Sequence, residues 1–426
     1  MAEPGSIPVP SMPKTSPSIE HTPAAYRRMR DPALLRFYYS IKAMKMLDAM
    51  ELSGSSPPDI FVGRIGYPKV FIGPLVPPLE GDTSLLGTPE MWPGRSIADI
   101  VEMRSQLLRG MYAVNVRDVN RSGIVDFTQE LALSKDSAYV DLELEKKPRH
   151  VVRWDDHTQP FGPSAPLKSV QVSGTRADTK IEKAHSDTDL KAADAIIELY
   201  EKGVLVSKIQ KAFSAGLFGL KNRRRFVPTR WAITAVDDAI GKHLLAQVKE
   251  FPTIDEFRVY ETVALDNRWE VLMMPRHWSY ELMEAWYPGT VWNATGRCVE
   301  MYSSAEGWLP RKRYAEIGGC YYAARLAVCE LLVRLKRQAT VIILREAHPG
   351  YIMPVGVWNV REHVRQALRS EPLKFDTLAG ALRHVQSRLE IPLKVWMENS
   401  RLFRALSAQK ALAEATNLGS LKHAAD

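Results

Sequence analysis

The sequence predicts an α+β fold, with a mixed α/β N-terminal body over residues 25–300 and a mainly helical C-terminal region over residues 301–426. Three observations lead there. Short β-rich runs, IFV at Ile60 and KVFI at Lys69, are set off by Gly63, Gly66 and Pro68, the pattern of strand, turn and strand. Segments with apolar residues at helical spacing come after them, and beyond Met301 that spacing dominates. At 426 residues and 45% hydrophobic content, the chain can bury the cores of two or three domains.

Residues 1–24 are rich in proline and serine without apolar periodicity, so they are expected to stay disordered. From Asp31 an apolar stripe at Leu35, Tyr38, Tyr39, Ile41 and Met46 predicts a helix, which Ser53 to Pro58 ends. The spacing predicts another over Ile97 to Leu108, and Val114 to Asp156 reads as mixed and β-rich. Ser186 is placed to cap the next helix, with Asp189 at the capping-box position, a face of Leu190, Ala193, Ile196, Ile197 and Tyr200, and Gly203 as its stop. A helix is then expected from Ser207 to about Leu217. The last third carries helical patterns over Ile317–Lys336, Val357–Leu368, Thr377–Leu389 and Leu393–Thr416, with VIIL at Val341 as one buried strand. The boundary between the two regions is expected between Trp286 and Arg313.

The longest apolar runs fall well short of the ~18–20 residues needed to cross a bilayer, and the N-terminus lacks a basic-then-apolar signal arrangement. A cytoplasmic protein with no membrane partner is expected. Three cysteines, Cys298, Cys320 and Cys329, form no CxxC pair, which suits a reducing compartment. The net charge of +8 is uneven: 38 basic and 38 acidic residues lie up to Glu300, against 19 and 11 from Met301 onward. The C-terminal region is therefore the better candidate for a phosphate-bearing partner.

Two stretches have the chemistry to meet phosphate. KNRRRFVPTR gathers Lys221, Arg223, Arg224, Arg225 and Arg230 around Phe226, with Trp231 next; cations can hold a nucleic-acid backbone while an aromatic stacks on a base. A solvated loop between helices, with Arg230 paired to Asp237 or Asp238, would have the same composition. Arg361, Arg365 and Arg369 recur every four residues, so one helix would carry them in a row about 6 Å apart; a plain solvent face would look the same.

Acidic residues supply the candidate chemistry. Asp155, Asp156 and His157 form one cluster, and His185, Asp187 and Asp189 a second; both hold ligand types suited to a divalent ion without a diagnostic spacing. In an enzyme, Asp155, Asp156, Asp237 and Asp238 would hold a divalent cation, Mg²⁺ or Mn²⁺, while Lys168 and Arg230 position phosphate. Adjacent helical residues point about 100° apart, so Asp237 and Asp238 share a site only with help from a neighbouring element.

Six ordered segments carry a more specific signal: FVGRIGYPKVFIGPLVPP from Phe61, GDTSLLGTPEMW from Gly81, DDHTQPFGPSAPLK from Asp155, SDTDLKAADAIIELYEKG from Ser186, VPTRWAITAVDD from Val227 and GGCYYAARLAVCELL from Gly318. Together they resemble the archaeal Nre proteins, a family associated with DNA repair and with the sliding clamp PCNA, over roughly residues 55 to 400. The resemblance implies a repair protein acting on or alongside DNA or other nucleic acid. A phosphoesterase working on nucleic-acid ends or nucleotides, and a non-catalytic adaptor recruiting repair proteins, are the alternatives. Many family members carry an N-terminal zinc motif; with no cysteine before Cys298, no zinc finger of that sort is expected here. Of the family's C-terminal clamp motif, Gln409 and Leu412 are present, but Ala415 and Thr416 stand at the aromatic positions. Losing two buried aromatics weakens binding on the order of 10² to 10⁴, so PCNA is a partner the motif only half supports.

Overall fold

The structure is a computed structural model that describes residues 49–119, 123–148 and 157–408. The expected N-terminal tail and the helix from Asp31 lie outside them. Two compact units are formed, one by residues 49–245 with 351–363 and the other by 246–350 with 364–408. The division between these packed units falls near residue 245.

The first unit is built on a six-stranded sheet, ordered β1-β5-β6-β4-β3-β2. Its strands are β1 (Glu51–Ser56), β2 (Ile60–Val62), β3 (Lys69–Val76), β4 (Leu108–Asn115), β5 (Ala138–Leu144) and β6 (Ser164–Ser173). Neighbours run antiparallel except β4 and β6. β5 shows why these residues make strands: Ala138, Val140, Leu142 and Leu144 alternate inward, the period-2 pattern of a half-buried strand. The stretch expected to be β-rich also holds a helix, α2 (Ile124–Leu133).

The principal helices of this unit are α1 (Ile97–Ser105), α2, α3 (Thr179–Ser186), α4 (Ala192–Glu201), α5 (Val206–Ser214) and all but the last turn of α6 (Thr229–Val248). α1 begins in a full capping box between Ser96 and Asp99. The helix expected from Ser186 starts later. Asp187 accepts the amides of Asp189 and Leu190, at 3.3 and 3.0 Å, so the side chain holds those residues in a turn and α4 opens at Ala192. Gly203, with φ at +76°, ends it as expected.

The second unit carries a six-stranded sheet ordered β10-β9-β11-β8-β7-β12. The strands are β7 (Phe257–Ala264), β8 (Asn267–Met274), β9 (Ser279–Trp286), β10 (Glu300–Glu306), β11 (Thr340–Ala347) and β12 (Leu373–Phe375). Its helices are α7 (Gly319–Leu335), the later part of α8 (Trp358–Arg369), α9 (Leu378–Arg388), α10 (Leu393–Asn399) and a helical stretch over 401–408. The residues after 301 are mainly helical, as their periodicity predicts, but they fold on strands supplied by residues 257–286. One sheet face packs Leu272, Met274, Met283, Ile342 and Leu344 against Ala381, Val385, Trp396 and Phe403 of those helices.

The long helix expected over Leu393–Thr416 breaks at Ser400. That residue is extended, at φ −82° and ψ 133°, and the Glu281 carboxylate accepts from the Ser400 hydroxyl and the amides of Arg401 and Leu402. A fresh helix start, capped from the sheet, thus replaces a continuous rod. Positions Gln409, Leu412, Ala415 and Thr416 lie outside the described residues.

Candidate nucleic-acid interface

The basic loop is pinned from inside and armed outside. Phe226 is buried, and its amide donates to the Val116 carbonyl at 2.8 Å. Val227 exchanges bonds with Ser214, and the Thr229 hydroxyl accepts from the Val62 amide at 2.9 Å. Arg224 reaches back to the carbonyls of Gly219 and Asp187, at 2.8 and 2.7 Å. Its guanidinium therefore braces the loop, and burial lowers its pKa. Between these anchors Lys221, Arg223 and Arg225 are exposed, and Arg230 is half-buried.

Trp231 closes the loop, and the structure brings Tyr67 to it. The ring centroids are 5.1 Å apart with 55° between planes, and the two residues remain 39% and 44% exposed. Tyr67 sits in the turn of GRIGYP, where Gly66 has φ at +84° and its carbonyl accepts from the Lys69 amide at 2.9 Å. A Cβ at Gly66 would meet the Lys69 carbonyl oxygen at 2.8 Å, so the turn requires glycine. Ile65 and Phe71 are exposed beside it in sequence, as are Arg64 and Lys69. An open aromatic pair whose sequence neighbours include exposed cations is suited to stacking unpaired bases.

A second basic feature lies in the same unit. A cavity of about 500 Å³ is lined by Lys135, Arg176, Lys180, Lys208 and Lys211, with Asp178 as its one acidic lining residue. Lys211 is held by Asp59, at 3.4 Å, and by the Gly87 carbonyl; Lys208 donates to the Ser134 carbonyl. Arg176 pairs with Asp136. Burial, then the neighbouring Lys211 charge, pushes the Lys208 ammonium down to about 8; Lys211 is lowered as well, burial again coming first. α3 joins this cavity to the basic loop. Thr179 and Lys180 at its start line the cavity, and His185 and Asp187 at its end meet Arg224, about 12 Å along the helix.

Of the other expected residues, Asp155 and Asp156 lie outside the described residues. Asp237 is fully buried and bonds Arg361 at 2.9 and 3.1 Å and Gln210 at 3.0 Å. Asp238 pairs with Lys242, one turn on, at 2.6 Å. Asp237 is thus committed to an ion pair inside the unit. Lys168 is an exposed partner of Glu143. The arginine row is corrected: Arg361 is 0% exposed and bound to Asp237 and Glu362, so it reaches no backbone. Arg365 forms a two-pronged pair with Glu330, at 2.6 and 2.8 Å, and Arg369 is exposed. His185 bonds the Leu217 carbonyl and Asp187 holds its turn, so that cluster is built as local structure. Among the described residues the one group of acids and histidine near enough to share an ion is Glu261, Glu270 and His384.

Sequence reasoning missed Tyr67, the lysine cavity and that last group. Lys208 and Lys211, three apart, were legible as neighbours on one helix face; Lys135, Arg176 and Lys180 join them only through tertiary packing.

Residues 27–293 match the family described as Archaeal Nre, N-terminal, and residues 306–414 match Archaeal Nre, C-terminal. The chain is 44% identical over 355 residues to DNA repair protein NreB of Archaeoglobus fulgidus, covering 83% of this chain and 89% of that protein. It is 35% identical over 359 residues to DNA repair protein NreA of the same organism, covering 84% and 90%. To DNA repair protein NreA of Haloferax volcanii it is 36% identical over 354 residues, covering 80% and 84%. No solved structure matches. No helix among the described residues is long and apolar enough to cross a membrane.

Proposed function

The chain belongs to the archaeal Nre family, and on that premise we propose that it serves DNA repair by holding unpaired nucleic acid on the Tyr67–Trp231 surface. The observation that carries this reading is the open aromatic pair, whose Trp231 follows in sequence the loop that exposes Lys221, Arg223 and Arg225. Stacking is tolerant of base identity, while the cations meet phosphates. Such a surface favours single strands, gaps and frayed ends over intact duplex, whose bases are already stacked.

A second reading rests on the lysine-lined cavity. Its size and charge suit a phosphate-bearing group, so a terminal phosphate or a nucleotide is its fitting occupant, and a phosphoesterase is the enzyme class such a site would serve. Neither reading depends on the clamp PCNA, nor on a cytoplasmic address.

The experiment is a binding series with end-labelled single-stranded, duplex and gapped DNA and with RNA, run across salt with and without Mg²⁺ and read for both mobility and product. Salt-sensitive preference for single-stranded regions supports the first reading. Equal or absent binding to all of them overturns it, and product formation moves the weight to the second.

A further inference from the structure

In the second unit, Glu261 of β7 and Glu270 of β8 stand directly opposite each other in the antiparallel register. Like charges at such a pair repel at the closest cross-strand spacing. From α9, His384 reaches the same place, its Nε2 3.0 Å from Glu261 Oε2.

The sheet buries several other acids, and each has partners. Glu284 meets Arg345 at 2.7 Å, and Glu306 meets Arg325 at 3.2 Å. Glu281 caps the helical stretch after Ser400, and Glu346 accepts the amides of Glu390 and Ile391. Glu270 differs. It is 3% exposed, and its Oε2 has no hydrogen-bond partner. An unmatched carboxylate oxygen facing a second carboxylate inside a protein is costly, and the two ordinary remedies are a proton or a cation.

We infer that Glu261, Glu270 and His384 form a binding site for a divalent transition-metal ion, of the Zn²⁺ or Mn²⁺ class. One ligand atom from each lies within 4.8 Å of the others, a spread that an ion about 2.0–2.2 Å from each donor can gather by small rotamer changes. Two carboxylates and an imidazole are an accepted donor set for these ions. Arg388, one turn after His384 on α9, holds both oxygens of Glu261, at 2.8 and 3.0 Å. Its bond to Oε1 orients that carboxylate from outside the ligand set, while Oε2 turns to the ion in place of its bond to His384. The ion relieves the Glu261–Glu270 repulsion and fixes α9 to the β7–β8 hairpin. Loading it releases whatever protons the three side chains carry, with no change in oxidation state.

The test uses the full chain, stripped with chelator and titrated separately with Zn²⁺ and Mn²⁺ by calorimetry and thermal melting. One ion per chain and a melting temperature that rises with metal are expected. Glu270→Gln and His384→Ala should each weaken binding by at least about tenfold and abolish the rise in melting temperature. Metal-free Glu270→Gln, which keeps the shape and removes the repulsion, should melt no lower than the parent, so its loss of binding is not a loss of folding. A Cys298→Ser variant should bind as the parent does. Absence of binding to either ion overturns the inference, as does binding that both variants leave unchanged.

Discussion

Tyr67 and Trp231 meet in a tilted pair at 5.1 Å between centroids, although one belongs to a strand-connecting turn and the other to the first turn of α6. Both keep exposed surface, 39% for Trp231 and 44% for Tyr67, which leaves area for a ligand. Trp231→Ala should weaken single-stranded DNA binding by about 1–3 kcal/mol, or roughly 5- to 150-fold. Trp231→Phe should recover most of it. Fluorescence anisotropy at fixed salt checks this, and equal affinity in the alanine variant would remove the platform from the interface.

The loop's cations divide by role. Replacing Lys221, Arg223 and Arg225 with glutamine should weaken binding to all sequences alike and flatten the plot of log affinity against log salt by about 0.7 for each single-strand phosphate no longer neutralised. Arg224→Gln should act differently. Because Arg224 bonds two carbonyls that hold the loop, its loss should lower the melting temperature more than it changes the salt slope. Four single variants measured over a salt series distinguish these patterns; a full one-phosphate change of slope at Arg224 would contradict the bracing role.

The sequence showed the α+β class, the strand pair around Gly66 and the C-terminal helices because each rests on local periodicity and turn chemistry. It concealed what depends on long-range packing. The Arg361 row looked like a surface because spacing records which residues share a helix face, not what that face meets. Asp237, more than a hundred positions earlier, turns the first arginine inward, and Glu330 takes the second. Tyr67 escaped for the converse reason: its turn was legible, but its neighbour Trp231 was not. Ser400, a good cap residue inside an apolar pattern, was a readable stop whose force comes from the distant Glu281.

Lys208 makes phosphate binding in the cavity depend on pH. Its ammonium, lowered to about 8, stays charged below that value, where it attracts an anion but bears the full cost of burial. Above pH 8 the folded form loses its proton while the unfolded chain, with an ordinary lysine value near 10.5, still holds one. The folded state then binds fewer protons, so this residue's contribution to stability rises with pH between about 8 and 10.5. Inorganic phosphate affinity should instead fall as pH passes through about 8, where the folded form loses this charge. Lys211 reinforces the trend, while Asp59, Asp136 and Asp178 oppose it by favouring the charged form. Calorimetric titration with phosphate from pH 7 to 9.5 checks this, and Lys208→Met should bind more weakly at pH 7 and depend less on pH. Affinity that holds steady through pH 9 would show that Lys208 does not face the anion.

Asp237 separates a structural from a chemical role for the aspartates of α6. It is buried against Arg361, with Gln210 as a further donor, and Asp237→Ala would strand the guanidinium inside the unit. Breaking a buried pair from one side costs about 3–5 kcal/mol, and the lower end is expected because Glu362 still holds Arg361 Nε at 3.1 Å. Asp238→Ala removes the pair with Lys242, whose lysine is largely exposed; for that surface pair a change within about 1 kcal/mol is expected. Urea denaturation of the two variants measures both. A chemical role would invert the outcome: Asp237→Ala would keep its denaturation midpoint and lose metal-dependent turnover on a nucleic-acid substrate. The geometry favours the first result, because a carboxylate already neutralised by an arginine in the interior has neither the open oxygen nor the access that a catalytic cation needs.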